Sequence, residues 1–166
     1  MVDMRNDRAN ANPAILFLCL GNICRSPLAE GAARAAFARA GIEATLDSAG
    51  TGDWHIGHPP DARAQAEARR RGVDISALRG RQLSRDDFYR FDLILAADES
   101  NLRDALAIRP ADATAVLKLM LDLLPGRRGE GVTDPYYGED DGFAATWEDV
   151  DAVAAALVAE FVPSKG

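Results

Sequence analysis

The residues best suited to chemistry stand close together near the start of the chain. Cys19 is followed, after five residues, by Arg25 and then Ser26, in the run Cys-Leu-Gly-Asn-Ile-Cys-Arg-Ser. A short loop of this kind can turn its backbone N–H groups inward and form a cradle for an anion. A helix that begins directly after the loop adds more N–H donors and the positive end of its dipole. The pattern therefore predicts a phosphate-binding loop.

The side chains of this loop have distinct predicted tasks. Donors that hold an anion also favour a thiolate, so Cys19 is predicted to be a nucleophile. Arg25 carries a planar fork that can hold two phosphoryl oxygens, and the Ser26 hydroxyl can donate to the thiolate. Gly21 and Asn22 are residue types that tolerate the positive φ of such a curl. Three further loop residues are predicted to surround the bound phosphate: Leu20, Ile23 and Cys24.

A phosphomonoester also needs a proton donor for its leaving oxygen. Asp134 is the candidate, in the run Thr-Asp-Pro-Tyr-Tyr of residues 133–137. The following proline stiffens the backbone, and Tyr136 and Tyr137 offer an apolar wall. A carboxylic acid in apolar surroundings can remain protonated until it is needed. Asp134 is therefore predicted to be the general acid.

The elements that would position these residues alternate between strand and helix. Apolar runs predict four strands, at 14–18, 43–48, 91–97 and 116–119. Capping and periodicity signals predict four main helices, at 26–41, 61–71, 99–108 and 143–161, the first with Ser26 as its hydroxyl cap. This alternation predicts a single α/β domain with a four-stranded parallel sheet and helices on both faces. Ligands of such sheets bind beyond the carboxyl ends of the strands, where the phosphate-binding loop follows the first strand.

Composition limits the domain organisation and the class of protein. The chain has 166 residues, of which 48% are hydrophobic, enough for one core. Residues 1–13 have little to bury and are predicted to be a disordered tail, which leaves 14–163 as the domain. A formal charge of −7 argues against a general nucleic-acid binder.

The cysteine and hydropathy patterns argue against further classes. Two cysteines are too few for a disulfide scaffold or a four-thiolate zinc site. His55 and His58 make no metal-ligand spacing with them, so we expect no metal and read both histidines as surface loop residues. No apolar run approaches the roughly 20 residues of a membrane span, and the N-terminal segment lacks the apolar core of a signal peptide. We therefore expect no membrane insertion and a cytoplasmic location.

Taken together, these motifs resemble the low-molecular-weight protein tyrosine phosphatases. The resemblance extends from Ile15 to the last helix and rests on four segments: 19–27, 47–50, 98–101 and 134–137. It implies hydrolysis of phosphotyrosine and small aryl phosphates through a phosphocysteine intermediate, without metal or organic cofactor. It assigns Cys19 as nucleophile, Arg25 as phosphate clamp and Asp134 as general acid and then base. The implied partners are a tyrosine-phosphorylated protein and an oxyanion in the loop, and we expect a monomer or weak dimer.

The resemblance also implies supporting roles around the loop. Asn22 and Ser48 resemble a pair that braces it, Ser26 a stabiliser of the thiolate, and Trp54 an aromatic wall of the cleft facing Tyr136 and Tyr137. Family members often carry a histidine, hydrogen-bonded to the loop asparagine, at the position of Leu78. We therefore expect this brace to be partly lost, or supplied by a water or another group.

Several alternatives remain open at this point. Cys24 either packs under the loop or forms a disulfide with Cys19 on oxidation, which would make the site redox-sensitive. Asp98 is expected to cap a helix, with a smaller chance of shaping the cleft.

Three rival functions are less well supported. Thiol-dependent arsenate reductases use a similar loop but need two further cysteines, and none follows Cys24. Phosphoarginine phosphatases look similar but tend to have threonine where this chain has Ile23. A silent phosphate-binding module predicts a defect in Cys19, Arg25 or Asp134, and all three are present.

Overall fold

Four parallel strands form the centre of the protein, in a computed structural model that describes residues 12–135 and 141–161. They are β1 (Ala14–Cys19), β2 (Thr45–Gly50), β3 (Leu93–Ala96) and β4 (Val116–Leu119). Their order across the sheet is β2-β1-β3-β4, and every neighbouring pair is parallel. The predicted fold class is confirmed. The predicted tail up to residue 11 lies outside the described residues, as do Tyr136 and Tyr137.

Helices connect these strands and cover the sheet. They are α1 (Arg25–Ala40), α2 (Ala62–Arg70), α3 (Asp87–Arg90), α4 (Glu99–Ile108) and α5 (Asp141–Phe161), with a 3-10 turn at Met120–Leu123. The sequence did not predict α3 or the 3-10 turn, because four residues are too few to show a helical period. None of the helices within the described residues is long and apolar enough to cross a membrane.

The central strand β1 is buried on both faces. Ile15 and Phe17 point into a core shared with α1 and α5. Leu16 and Leu18 point into a second core on the opposite face, which includes Phe88 of α3. Successive side chains of a strand alternate between faces, so a continuous apolar run buries both. The prediction from the run at 14–18 is therefore confirmed.

Two sequence-predicted boundaries are wrong at the edge where β1 and β2 end. Strand β2 begins at Thr45 and continues to Gly50, because its pairing with β1 extends to the contact between Cys19 and Gly50. Helix α1 begins at Arg25, so Ser26 is not its cap. The Ser26 hydroxyl lies instead 3.0 Å from the sulfur of Cys19.

Close backbone packing fixes the loop that leaves β1. The N–H of Thr51 donates to the Cys19 carbonyl oxygen at 2.9 Å. The N–H of Gly50 donates to the Arg81 carbonyl oxygen at 2.8 Å. A Cβ at Gly50 would lie 2.8 Å from the carbonyl oxygen of Leu20. Only glycine allows this approach, so the backbone at the end of β2 packs directly against the loop.

Candidate active site

A cavity of about 420 Å³ opens at the carboxyl end of β1. Its lining combines the loop that follows β1, the loop that follows β2, and the segment before α5: Cys19, Leu20, Gly21, Ile23, Cys24, Arg25, Trp54, His55 and Asp134. The structure therefore brings together eight of the sequence-predicted site residues in one cavity. Asn22, Ser26 and Ser48 lie buried close to it.

The sulfur of Cys19 has hydrogen-bond partners both in the loop and at the start of α1. The backbone N–H of Asn22 donates to it at 3.2 Å, and the Ser26 hydroxyl lies 3.0 Å away. Cys19 is only 3% exposed, so the sulfur sits at the base of the cavity.

The Asn22 side chain joins the loop to the rest of the protein. Its Nδ2 donates to the hydroxyl oxygens of Ser26, at 2.8 Å, and Ser48, at 3.0 Å. Its Oδ1 accepts from the backbone N–H of Arg81 at 3.0 Å. The brace that the resemblance assigned to a histidine at Leu78 is thus present, supplied by a backbone amide. Leu78 itself packs against the hydrophobic core.

Asn22 also has an uncommon backbone conformation. Its φ is 57°, in the left-handed region. Asparagine tolerates this conformation better than most residues with a side chain. Gly21, the other predicted candidate, is not among the residues with positive φ within the described chain.

The guanidinium of Arg25 is held in place by groups from two other segments. Its Nη1 donates to Asp98 Oδ2 at 2.8 Å and to the Val132 carbonyl at 3.0 Å. Its Nη2 lies 3.6 Å from Asp134 Oδ2. Arg25 is 3% exposed, so this cation is buried, paired and oriented along one edge of the cavity.

Asp98 has two functions in the structure. Its Oδ1 accepts from the Asn101 backbone N–H at 2.9 Å and caps α4, as the sequence predicted. Its Oδ2 orients Arg25, so it also shapes the cleft. Burial alone would raise the pKa of this carboxyl, but the hydrogen bonds from Arg25 and from the α4 backbone outweigh that effect and hold the pKa below its usual range.

Cys24 is the second thiol of the cavity, and both cysteines are in the reduced form. Burial raises the pKa of the Cys24 thiol well above its ordinary value, and the negative charge of Asp61 raises it further. Cys24 therefore remains a neutral thiol at physiological pH. Among the two cysteines, the geometry favours Cys19 as the nucleophile.

The outer part of the cavity is aromatic and apolar. Trp54 is 64% exposed, and Leu20 is 42% exposed. The ring of His55 also lines the cavity, close enough that a Cβ at Gly21 would lie 3.0 Å from its Cδ2. His55 does lie in a partly exposed loop, as expected, but the sequence did not predict that it would also line the cavity. Its position beside Trp54 in the sequence was the signal that could have identified it.

Two supporting residues were missed because no local pattern marks them. Glu30 of α1 accepts a hydrogen bond from the Ser48 hydroxyl at 2.8 Å. Arg81 braces Asn22 through its backbone, while its side chain pairs with Asp47 and Asp87. Across residues 12–135 and 141–161, no three His, Cys, Asp or Glu side chains are grouped as metal ligands.

Comparison with known proteins places this arrangement in a family. Residues 14–164 match the family model described as low molecular weight phosphotyrosine protein phosphatase. A protein of that name from Schizosaccharomyces pombe is 44% identical over 135 residues, which cover 80% of this chain and 86% of the relative.

Solved structures agree with the sequence match. The crystal structure of a protein tyrosine phosphatase from Entamoeba histolytica superimposes with a TM-score of 0.84 at 31% identity, covering 89% of this chain and 96% of that one. The structure of a Drosophila arginine phosphatase gives a TM-score of 0.82 at 30% identity, covering 92% and 99%. The loop geometry, the family model and these relatives agree, and the chain belongs to the low molecular weight phosphotyrosine protein phosphatases, a family of hydrolases.

Proposed function

We propose that the protein hydrolyses phosphotyrosine and small aryl phosphates in two steps, with Cys19 as the nucleophile. In the first step the Cys19 sulfur forms a bond to phosphorus as the bond to the phenolic oxygen breaks. In the second step water attacks phosphorus, the sulfur leaves as thiolate, and inorganic phosphate is released. The observation that carries this proposal is the contact of the Cys19 sulfur with the Asn22 N–H and the Ser26 hydroxyl, in the same cavity as Arg25.

Arg25 is assigned as the clamp on the phosphoryl group. Asp98 and Val132 hold its Nη1, which directs the remaining edge of the fork toward the cavity. A guanidinium oriented before substrate arrives can pair with two phosphoryl oxygens and stabilise the charge of the transition state. Because Arg25 is already buried and paired, little reorganisation is needed when the substrate binds.

Asp134 is assigned as the proton donor and acceptor. Its carboxyl oxygen lies 3.6 Å from Arg25 Nη2, on the lining of the same cavity. An ester oxygen that leaves a phosphorus held by Arg25 would therefore depart close to Asp134. In the first step Asp134 gives its proton to that oxygen, and in the second it accepts one from the attacking water.

The walls of the cavity support an aryl substrate. Trp54 and Leu20 are exposed beside it, and Ile23 adds a branched apolar side chain to the lining. An aromatic ring attached to phosphate would bury apolar surface against these groups while its phosphate reaches the base. The contribution predicted for Tyr136 and Tyr137 stays a prediction, since both lie outside the described residues.

Phosphoarginine is the second candidate, because one structural neighbour is a Drosophila arginine phosphatase. The cationic guanidine of phosphoarginine would pass the apolar Ile23, which suits an aryl ring better. Comparison of a phosphotyrosine peptide with a phosphoarginine peptide of the same sequence separates the two. An Ile23→Thr variant, measured beside the wild type, tests whether this side chain sets the preference.

The experiment that tests the function is phosphate release from para-nitrophenyl phosphate and from the two peptides, with Cys19→Ser as the matched control. Turnover of the aryl substrates by the wild type and none by the variant would support the proposal. Absence of turnover by the wild type would support a silent phosphate-binding module instead.

The same proposal has three further parts. They are a tyrosine-phosphorylated protein partner, a cytoplasmic location, and control of the enzyme by oxidation of Cys19.

A further inference from the structure

The orientation of one side-chain amide decides whether the nucleophile receives a hydrogen bond from Ser26. In the structure, Asn22 Nδ2 donates to the oxygens of both Ser26 and Ser48. A hydroxyl oxygen that accepts from Nδ2 keeps its own hydrogen for another partner. Ser26 can then donate to the Cys19 sulfur, 3.0 Å away.

A rotated amide would reverse this arrangement. If Asn22 turned its oxygen toward the two hydroxyls, Ser26 would donate to Asn22, and the sulfur would lose that donor. Two groups oppose the rotation. The backbone N–H of Arg81 needs an acceptor and finds Oδ1 at 3.0 Å. The Ser48 hydroxyl is already committed as a donor, at 2.8 Å, to Glu30 Oε1.

A Glu30 carboxylate can only accept from the Ser48 hydroxyl, whereas a protonated Glu30 could also donate to it and so reverse the hydrogen bond. Glu30 is 1% exposed. Burial holds the pKa of Glu30 above its usual range, the negative charge of Asp47 adds to this effect, and hydrogen bonds from Ser48 and Arg34 oppose it. Arg34 is the cation that favours the charged form of Glu30, through a hydrogen bond of 2.8 Å from its Nε to Oε2.

Arg34 is well placed for this task. It lies one helical turn after Glu30 on α1, and its Nη2 also donates to the Leu46 carbonyl of β2 at 2.6 Å. These two contacts hold a half-exposed guanidinium over a buried carboxylate. The side chain lies outside the lining of the active-site cavity.

We propose that Glu30 and Arg34 are positioning residues, which act through Ser48 and Asn22 to direct the Ser26 hydroxyl onto the Cys19 sulfur. The inference rests on the proposed role of Cys19 as the nucleophile. Glu30 fixes the direction of the hydrogen bonds, and Arg34 holds the Glu30 carboxyl in place and favours its charged form. Neither residue touches the substrate.

Glu30→Gln is the sharpest test, because it changes charge and hydrogen-bonding type but not shape. The Arg34 guanidinium attracts the amide oxygen of the new side chain, so the amide NH₂ faces Ser48 and donates to it. The Ser48 hydrogen is then released and can favour the rotated form of Asn22. We expect kcat for para-nitrophenyl phosphate to fall about 3- to 10-fold with KM nearly unchanged, the loss of roughly one hydrogen bond to the leaving sulfur.

A second readout follows the nucleophile directly. The rate of Cys19 alkylation by iodoacetamide is measured against pH, with the modified residue identified by mass spectrometry. A thiolate that loses a hydrogen-bond donor is harder to form, so the midpoint of the pH profile of alkylation should shift upward by roughly 0.5–1 pH unit. The other charged and titratable groups that line the cavity are unchanged in the variant: Cys24, Arg25, His55 and Asp134.

Glu67→Gln is the matched control. Glu67 is also a buried carboxylate, 2% exposed, and it pairs with Arg70 and Arg71 on α2. The control should match Glu30→Gln in loss of stability and leave both kinetic readouts unchanged. Arg34→Met supplies a second variant in case Glu30→Gln does not fold, and Arg34→Lys should restore part of the wild-type behaviour.

The outcomes separate this inference from the proposed function. An upward shift of the alkylation midpoint in Glu30→Gln and Arg34→Met, with none in Glu67→Gln, supports the positioning role. Variants that lose only stability, to the same extent as Glu67→Gln, overturn it. A wild type that is alkylated at Cys19 but hydrolyses no aryl phosphate would contradict the proposed function instead.

Discussion

The side-chain oxygen of Asn22 accepts a hydrogen bond from the backbone N–H of Arg81, 59 residues later in the chain, at 3.0 Å. The segment that carries Arg81 is itself fixed, because its guanidinium pairs with Asp47 on one side and the buried Asp87 on the other. The loop that holds the candidate nucleophile is therefore supported from behind by a second segment. Replacing Arg81 with any residue except proline would leave the N–H donor in place, but it would release the segment from Asp47 and Asp87.

The two cysteines are expected to respond differently to replacement. Cys19→Ser should abolish turnover and keep affinity for inorganic phosphate, because the loop amides and Arg25 remain. Cys24→Ser should retain far more activity under reducing conditions, because a buried neutral thiol is a poor nucleophile. Steady-state kinetics and phosphate titration monitored calorimetrically give both values. An active Cys19→Ser together with an inactive Cys24→Ser would overturn the assignment.

Asp134→Ala is expected to lower kcat by roughly 10²- to 10⁴-fold, the usual contribution of a positioned general acid. The loss should shrink for aryl phosphates whose leaving group is already stable as an anion, since these need no proton. A series of substituted phenyl phosphates measures this dependence. Asp134→Asn is the isosteric control, and equal losses across the series would point to another proton donor.

Two substitutions of Asp98 can separate its contact with Arg25 from its capping of α4. Asp98→Asn keeps an oxygen for the Asn101 N–H but loses the charge that orients Arg25, so kcat should fall roughly 10-fold. Asp98→Ala loses the helix cap as well, which costs about 1 kcal/mol more and lowers Tm by a further 2–4 °C or so. Kinetics and thermal unfolding of the two variants measure each effect. Identical kcat in the wild type and Asp98→Asn would show that Val132 alone is sufficient to orient Arg25.

The stability of the protein should depend on pH through the ionisation of Asp98. Burial opposes ionisation of Asp98, but Arg25 and the α4 backbone lower its pKa in the folded state. A carboxyl with a depressed folded pKa stabilises the fold above its unfolded pKa, near 4, and loses that contribution as pH falls through the folded pKa. The free energy of unfolding of the wild type should therefore exceed that of Asp98→Asn most at neutral pH, and the gap should narrow below about pH 4. Urea unfolding at pH 7, 5, 4 and 3 measures this difference in the free energy of unfolding. A difference that grows on acidification would contradict a lowered pKa of Asp98 in the folded state.

Peroxide should inactivate the protein reversibly. It oxidises the Cys19 thiolate to a sulfenic acid, and the Cys24 sulfur then attacks that sulfur, with loss of water, to form a disulfide. The raised pKa of Cys24 makes this second reaction slower than it would be for an ordinary thiol. Wild type and Cys24→Ser are treated with peroxide, reduced with a dithiol and assayed. Recovery of the wild type alone supports a protective disulfide, whereas equal recovery means that Cys24 only packs.

The parts of the site that were predictable from sequence are those encoded by neighbouring residues. The strand, the loop and the helix follow one another without interruption, so the spacing of Cys19 and Arg25 already placed both at the end of β1. The anchoring of Arg25 by Asp98 was harder to predict, since 73 residues separate them. Such contacts depend on how strands are ordered in the sheet, which no local pattern specifies.

Ser26 shows how a correct local rule can give a wrong result. A hydroxyl residue followed by proline is typical of a helix start, and a helix does start close to this point. Its first residue is Arg25, one earlier than predicted, and Cys24 at the cap position makes no side-chain cap hydrogen bond. The hydroxyl has a competing partner in the Cys19 sulfur, which becomes visible only when the loop curls back.

The left-handed backbone of Asn22 has a consequence for which substitutions the protein can accept. This position needs a residue that adopts a φ of 57° and also offers one acceptor and two donors within a short side chain. Glycine meets only the first requirement, aspartate lacks the donors, and glutamine is one carbon too long and less tolerant of the backbone. In a saturation library selected for activity, position 22 should accept no other amino acid. Leu20, two residues away and 42% exposed, contributes only apolar surface and should accept other apolar residues, so tolerance within one short loop would change abruptly from residue to residue.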